Sequence, residues 1–475
     1  MYSLIRNQGL INSGDRKVKI LITGATGLIG TRLLETLILK GYEDIRVLTT
    51  NKEKAKSKIS FPIEICEWNP IAGTIEKGAL ENVSIVFHLA GEGVAEGRWS
   101  EKRKKSILDS RVKGTSILLR EIKKSSTTPK KFISSSAVGI YGSSLSDKTI
   151  TSEDSLGEGF LAEICKAWEN SLRDHDIKGM NAHTLRTGVV LSEEGGALAK
   201  MLPPFTLGLG GKLGSGKQYM SWIHIDDLVN AFLFLMTNDC KKFSYNGVSP
   251  TPVTNLEFTK VLGNVLKRPT IFPVPGVVLK LIFGEMSEIL LEGQRVSPTH
   301  LDAEGFEFKY KNLYSALSNI LKYNVKGEVL FKRHQWVKSP LEDVFQFFSD
   351  VKNLETITPK NLSFKIVGMN TDQIKTGSLI DYKLKIHGIP AKWKTKINNF
   401  EKNKSFIDEQ LKGPYSKWVH QHDFQSLKNG TLISDKIVYK VPFGILGNLV
   451  SGWFISRDVK SIFNYRNAVI DRKFN

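Results

Sequence analysis

Val18-Lys19-Ile20-Leu21-Ile22-Thr23-Gly24-Ala25-Thr26-Gly27-Leu28-Ile29-Gly30 is the stretch on which the reading of this 475-residue chain turns. Residues 18–23 are mostly apolar and predict a buried strand. A turn with glycine at every third position follows. Leu33, Leu34, Leu37 and Ile38 then recur at helical spacing until Gly41 stops them. Between a strand and a helix, Gly-x-x-Gly-x-x-Gly has a mechanical meaning. One glycine makes the turn, one lets backbone approach a pyrophosphate, and one lets the helix lie close to the sheet. The unpaired N–H groups at the helix start suit phosphate oxygens. Dinucleotide binding is therefore expected.

Further strands are expected at Ile45–Thr50, Val83–Ala90, Lys131–Ser136 and Ala182–Leu191, with helical patterns between them. This alternation predicts an α/β fold, a doubly wound parallel sheet with helices on both faces. An acidic residue at the end of the second strand would grip a ribose 2′-hydroxyl. Thr49-Thr50-Asn51 stand there instead, followed by Lys52 and Lys54. No carboxylate opposes a 2′-phosphate and two cations are near, so NADP is expected ahead of NAD.

The pattern changes after residue 322. Residues 323–327 read as a linker. Ser339-Pro340-Leu341-Glu342 reads as a capping box opening a short helix. Alternating strands follow, with Ile380, Tyr382, Leu384 and Ile386 on one face, and Ile433, Ile437, Tyr439 and Val441 on another. Leu446–Ile470 reads as a long terminal helix. The expected domains are an N-terminal extension at 1–16, a first domain at 17–322 and a second at 328–475.

Composition narrows the function classes. With 41% hydrophobic and 24% charged residues, wholesale disorder is excluded. Cys66, Cys165 and Cys240 are too few and too scattered for a disulfide scaffold or a zinc cluster, so a reducing compartment and no metal are expected. His420-x-His422 places two imidazoles on one strand face but lacks a third ligand at a telling spacing, so a structural role is expected. Gly211-x-x-x-x-Gly216-Lys217 imitates a phosphate loop, but Gln218 stands where a magnesium-holding hydroxyl belongs. Residues 1–16 lack the apolar core of a secretory signal, and the runs Leu228–Met236 and Val441–Ile455 fall short of the roughly 20 residues of a membrane span. A soluble cytoplasmic protein with no transmembrane segment is expected. The net charge is +19, and residues 326–475 hold 25 Lys/Arg against 14 Asp/Glu. Those lysines are spread along alternating strands, which predicts a solvated basic surface rather than a nucleic-acid face.

Several segments resemble a known family. They are Leu21 to Gly30, His88-Leu89-Ala90-Gly91-Glu92, Ser134-Ser135-Ser136-Ala137-Val138-Gly139-Ile140-Tyr141-Gly142, Phe160-Leu161-Ala162-Glu163-Ile164-Cys165-Lys166-Ala167-Trp168-Glu169, Leu185-Arg186-Thr187-Gly188 and Ser221-Trp222-Ile223-His224-Ile225-Asp226-Asp227-Leu228. They resemble the atypical extended short-chain dehydrogenase/reductases of the sugar-nucleotide epimerase-like type, and residues 273–320 resemble that family's own C-terminal region. The resemblance implies a Rossmann-like domain with a small substrate lobe. It also implies cofactor contacts from Gly24, Thr26, Gly27, Leu28, Ile29, Gly30, Thr50, Leu89, Ala90, Gly91, Glu92 and Lys166. Residues 328–475 resemble the helix-grip superfamily of polyketide cyclases and START-type lipid carriers, through Ser339–Phe345, Gly413-Pro414-Tyr415, Trp418–Phe424 and Pro442–Gly447. That implies an α+β domain with a cavity for an apolar ligand, which Trp393, Phe406, Trp418, Phe424 and Phe454 could line, with 442–452 at its rim.

Working reductases of this kind use a tyrosine proton donor, a lysine four residues later and an upstream serine. Ser136 and Lys166 match the serine and the lysine. Ala162 stands where the tyrosine belongs, and no tyrosine in this chain is followed four residues on by lysine. Tyr141 and Glu163 are the candidate replacements, the latter also a partner for Lys166 on the helix surface. The catalytic candidates are thus Ser136, Lys166 and Tyr141. Arg186 is a candidate for a substrate phosphate or carboxylate, or else for an internal ion pair. His224, Asp226 and Asp227 are expected to brace the fold. The expectation is an NADP(H)-dependent oxidoreductase or epimerase-like protein with an atypical proton relay and a small carbonyl or alcohol substrate. A cofactor-binding sensor or apolar-ligand carrier without turnover is the alternative. No oligomeric state is assigned.

Overall fold

The run Ile20–Thr23 forms strand β1 with all its residues buried, as a central parallel strand requires. The computed structural model describes residues 18–475 except 144 and 443, and no side chains over 444–454. The expected extension 1–16, the Phe454 side chain and most of the expected rim lie outside the described residues. The chain divides into two units, one reaching Ile59 and resuming over Ile63–Leu321, the other comprising Ser60–Pro62 and Lys322–Asn475.

In the first unit β1 is followed by β2 (Ile45–Thr49), β3 (Glu64–Asn69), β4 (Thr74–Ile75), β5 (Ile85–His88), β6 (Lys131–Ala137), β7 (Asn181–Thr187) and β8 (Ser244–Gly247). Their order in the sheet is β8-β7-β6-β5-β1-β2-β3-β4. All pairs are parallel except β3 with β4. After β1 the chain builds outward through β2 and β3, then crosses back to place β5 on the other side of β1. That reversal opens a crevice at the carboxyl ends of β1 and β5.

Helices α1 (Leu28–Leu39), α2 (Lys52–Lys58), α3 (Glu101–Lys124), α4 (Phe160–Arg173) and α5 (Ile225–Thr237) connect these strands. Strand alternation sends side chains to both faces. Leu21, Val86 and Phe132 pack with Ile117, Leu118 and Leu172 of α3 and α4. Phe87, next to Val86, meets Phe232 of α5 edge-on at 6.2 Å. On that second side Arg32 of α1 clasps Asp226 at the start of α5, with nitrogen–oxygen distances of 3.0 and 2.7 Å.

The strand expected over 182–191 is broken. Val189–Leu191 leaves the main sheet and pairs with Trp222–His224. Gly188 is the hinge, because a Cβ there would lie 2.1 Å from the Ser221 carbonyl oxygen.

The second unit is an antiparallel sheet of β9 (Val329–Val337), β10 (Lys365–Met369), β11 (Leu379–Ile386), β12 (Ile389–Glu401), β13 (Ser405–Lys412), β14 (Lys417–Leu427) and β15 (Gly430–Lys440). The order is β9-β15-β14-β13-β12-β11-β10. Helices α6 (Leu341–Ser349) and α7 (Gly444–Phe474) complete this α+β helix-grip fold. Phe345 and Phe348 of α6 meet Phe424 with ring centroids 5.2 Å apart, and Ile470 of α7 closes the same core. The expected capping box is absent: Pro340 occupies the cap position of α6 with no side-chain bond. The helix starts one residue later than the box requires, and the Ser339 carbonyl accepts from the Thr431 hydroxyl of β15 at 2.8 Å. Residues 323–327, expected as a linker, contain a short 3-10 turn over Asn324–Lys326.

Candidate functional site

Gly24 adopts φ +72° and turns the chain out of β1. A Cβ on it would strike the Leu89 and Ala90 backbone at 2.7–2.8 Å, and one on Gly30 would lie 2.2 Å from the Gly24 carbonyl oxygen. A Cβ on Gly27 would meet only that oxygen, at 3.4 Å. The first and third glycines are thus demanded by packing, while the second keeps the front of the turn bare. Gly27 caps α1 without any side-chain bond, so the first N–H groups of the helix keep no side-chain partner.

The Thr23 hydroxyl ties the neighbouring loop in place. It accepts from Leu89 N at 3.2 Å and Ala90 N at 3.1 Å, and it lies 2.8 Å from His88 Nδ1. Burial, then the nearby Arg111 charge, push His88 down to a pKa of about 3, so it is a neutral partner. Gly91 leaves room for the Arg111 guanidinium, which donates to the Glu92 carbonyl at 3.0 Å. The Glu92 carboxylate is engaged by Arg103 and Ser106. Thr50 is exposed just past β2, beside Asn51, whose side chain caps α2. Lys52 is tied to Glu76 at 2.7 Å, whereas Lys54 is exposed.

Ser136, Tyr141 and Arg186 are brought together, but around Glu169 rather than around an open cleft. Ser136 Oγ donates to Glu169 Oε1 at 2.7 Å. Arg186 forks onto both oxygens of Glu169 at 2.8 and 2.7 Å, and its third nitrogen donates to the Tyr141 hydroxyl at 2.8 Å. That hydroxyl donates to Asn246 Oδ1 at 2.7 Å. Arg186 and Glu169 are each 3% exposed. Of the two roles expected for Arg186 the internal ion pair is the one found, and the substrate-side role is corrected, since its fork is occupied inside the fold. Tyr141 is likewise a buried link, and burial, only partly offset by Arg186, raises its pKa.

Glu169 and Asn246 were not among the expected functional residues, yet a signal existed. Glu169 lies on the same helix stripe as Ala162, Cys165 and Leu172, and a carboxylate there needs a buried cation. Glu163 is exposed and Lys166 half-buried, and no bond between them is found among the described residues. His224 caps α5 and stacks on Tyr310 at 3.9 Å, while Asp227 accepts the Lys309 and Tyr310 N–H groups at 3.0 and 2.8 Å.

The second unit holds an open-mouthed cavity of about 690 Å³. Ile380, Tyr382, Leu384 and Ile386 line it along β11, and Trp393, Phe406 and Trp418 contribute as expected, whereas Phe424 packs into the core instead. The same wall carries Asp408, His420, His422 and Arg466.

Comparisons with known proteins follow this division. Residues 20–246 match the NAD dependent epimerase/dehydratase family, 274–320 match a domain of unknown function, DUF1731, and 337–462 match the polyketide cyclase/dehydrase and lipid transport family. A chloroplastic epimerase family protein, the SDR39U1 homologue of Arabidopsis thaliana, is 40% identical over 312 residues, which are 65% of this chain and 88% of that protein. A Mycobacterium bovis epimerase family protein is 38% identical over 299 residues, 63% of this chain and 96% of that protein. The crystal structure of human SDR39U1 isoform 2 with NADPH superposes with a TM-score of 0.58 at 32% identity, covering 64% of this chain and 99% of that one. Each of these matches covers 63–65% of this chain. The crevice, the glycine turn and this extent of identity have one reading: the chain belongs to the SDR39U1-like epimerase family, with a polyketide cyclase and lipid-transport type domain following the epimerase part.

Proposed function

We propose that the first unit binds NADP(H) and acts as an oxidoreductase or epimerase-like enzyme on a small carbonyl or alcohol compound. The observation that carries this reading is the Gly24–Gly30 turn at the carboxyl ends of β1 and β5, where Gly27 leaves the start of α1 bare of side chains. Human SDR39U1, a structural neighbour, was crystallised with NADPH. The N–H groups of Leu28, Ile29 and Gly30 would hold the pyrophosphate, and Lys54 would face a 2′-phosphate, with Thr50 and Thr26 beside them. Leu89, Ala90 and Gly91 would border the cofactor, and Lys166 would bind its nicotinamide ribose. When bound, NADP(H) supplies hydride chemistry.

The proton is the unusual part. Ser136 and Tyr141 are bound to Glu169 and Asn246, so neither offers a free hydroxyl to a substrate. Proton transfer then falls to Lys166, to solvent or to the substrate itself. A rate deficit of about 10²–10⁴ relative to tyrosine-bearing relatives is expected.

A second reading has its own support. The engaged Ser136 and Tyr141, together with the apolar cavity of the second unit, suit a cofactor-binding sensor or carrier of an apolar ligand. Titration of the full chain with NADPH and NADH, followed by nicotinamide fluorescence, tests the first reading. Selective NADPH binding supports it, and absence of binding by either nucleotide sinks it. Turnover of NADPH against a panel of small carbonyl compounds then separates enzyme from sensor. The three free, buried cysteines suit a reducing compartment such as the cytoplasm.

A further inference from the structure

Three neighbouring strands of the second unit place four polar residues on one inward face. Asp408 of β13 stands directly opposite His420 of β14, and His422 of β14 stands directly opposite Asp435 of β15. The diagonal contacts also close. Asp408 Oδ2 lies 3.3 Å from His420 Nδ1 and 3.0 Å from His422 Nε2. Asp435 Oδ1 lies 2.9 Å from both His420 Nε2 and His422 Nδ1. Each imidazole thus turns one nitrogen to Asp408 and the other to Asp435.

The two carboxylates differ in position. Asp408, His420 and His422 line the cavity, whereas Asp435 lies behind them, 3.7 Å from Arg466. We infer that Asp408, His420 and His422 form a two-histidine, one-carboxylate site for a divalent first-row metal such as zinc. Asp435 orients both rings, and the remaining metal positions open onto the apolar cavity.

Three observations carry this inference. Donor atoms held about 2.1 Å from one ion lie roughly 3.0–3.4 Å from each other, which matches the spacing of Asp408 Oδ2 from both ring nitrogens. The three donor atoms lie within 4.8 Å of one another. A carboxylate on the far nitrogen of each metal-bound histidine is the arrangement that fixes ring orientation at such sites, and Asp435 supplies it twice.

The two rings lie with centroids 3.8 Å apart, and Arg466 approaches the back of the cluster, 3.7 Å from Asp435 and 3.3 Å from His422 Nδ1. Bound through one nitrogen each, both rings would keep the other nitrogen turned to Asp435. Two nitrogens and one oxygen suit zinc or ferrous iron, and not calcium or magnesium. An ion there would take a carbonyl or carboxylate oxygen of an apolar molecule lying against Tyr382, Trp393 and Trp418.

The test uses the full chain, freed of metal with EDTA and titrated with ZnCl₂ by calorimetry, with CoCl₂ as a spectroscopic probe. The expected result is one equivalent of Zn²⁺ bound with micromolar or tighter affinity. Proton release should accompany binding, read from the dependence of the heat on buffer ionisation, and Mg²⁺ should not bind. Asp408→Asn, which keeps the side-chain shape, and His422→Ala should each weaken Zn²⁺ at least tenfold while circular dichroism stays unchanged. Asp435→Asn should weaken it about 10–100-fold and shift the visible bands of the Co²⁺ complex, which a merely structural role would leave in place. Absence of Zn²⁺ binding overturns the inference. So does binding that Asp408→Asn leaves untouched, since that metal would sit elsewhere on the chain.

Discussion

Both units bury a cluster of charges, and the two clusters are built to opposite plans. In the first unit Glu169, Arg186, Ser136, Tyr141 and Asn246 close on one another, and the ion pair within them is almost fully buried. In the second unit Asp408, His420, His422 and Arg466 line a cavity wall. The difference teaches that buried polarity alone does not mark a site. A cluster whose atoms are all spent inside the protein holds the fold, and one that keeps an edge on empty volume can take a ligand. The residues most conspicuous by motif lie in the first kind, and those with least motif lie in the second.

The largest test of this contrast is Glu169→Leu. It strands Arg186 in the interior, and losing one partner of a buried pair costs about 3–5 kcal/mol. Urea unfolding of the first unit should show that loss, and Glu169→Leu with Arg186→Met should recover most of it. A loss under about 1 kcal/mol would mean that the cluster is open to water after all.

Next in size is a difference in pH response between the metal-free units. His88 and His224 are held near pKa values of about 3 and about 4, chiefly by burial. Histidines with lowered folded pKa values bind protons more readily when unfolded. Their contribution is therefore complete above about pH 6.5 and falls as pH drops, by up to about 1.4 kcal/mol per pH unit for each. His420 is the reverse. Burial opposes its charge, but Asp408 and then Asp435 outweigh burial and raise its pKa. Its contribution is complete below about pH 6.5 and fades as pH rises. Unfolding followed at pH 5.5 and 8 in EDTA should move the two transitions in opposite directions. Parallel movement would refute the contrast.

Two smaller effects concern residues the closed cluster does not use. Lys166→Ala should weaken NADPH about tenfold without shifting the unfolding transition. A stability loss instead would place Lys166 among the structural charges. Lys54→Ala should lower the preference for NADPH over NADH about threefold in the same fluorescence titration, because Lys52 is already tied to Glu76. An unchanged preference would remove Lys54 from the cofactor site.

How much was legible in the sequence follows from the range of the interactions. The parallel sheet and the glycine turn rest on local patterns: β1 reads as apolar, Gly24 takes a left-handed turn, and Gly30 is forced by the Gly24 carbonyl a few residues away. Lys166 was reachable through its place in a family motif. Arg186 stayed open between a substrate contact and an ion pair because its partner lies 17 residues off and meets it only through packing of α4 on the sheet. The capping box failed because the helix begins at Leu341 with Pro340 at its cap, which shifts Ser339 out of the capping position. His420 and His422 were noticed as a pair, but Asp408 and Asp435 reach them across strands, and register is a property of the folded sheet. The helix-grip aromatics were easier, since alternation along a strand is local; Trp393, Phe406 and Trp418 face the cavity accordingly.

The pairing of Asp408 with His420 and of Asp435 with His422 has a further consequence for how the sheet assembles. Long antiparallel strands rich in lysine and branched residues can slide past one another, and a slip of one residue turns every side chain to the opposite face. Slipping β13 against β14 would carry Asp408 outward and leave one nitrogen of each imidazole, the one that now faces Asp408, without its carboxylate. Such a sheet would bury polar nitrogens without partners, at about 1–3 kcal/mol each. Misregistered chains are thus penalised while they form, so the same four residues that shape the cavity wall also select the one strand alignment in which that wall exists.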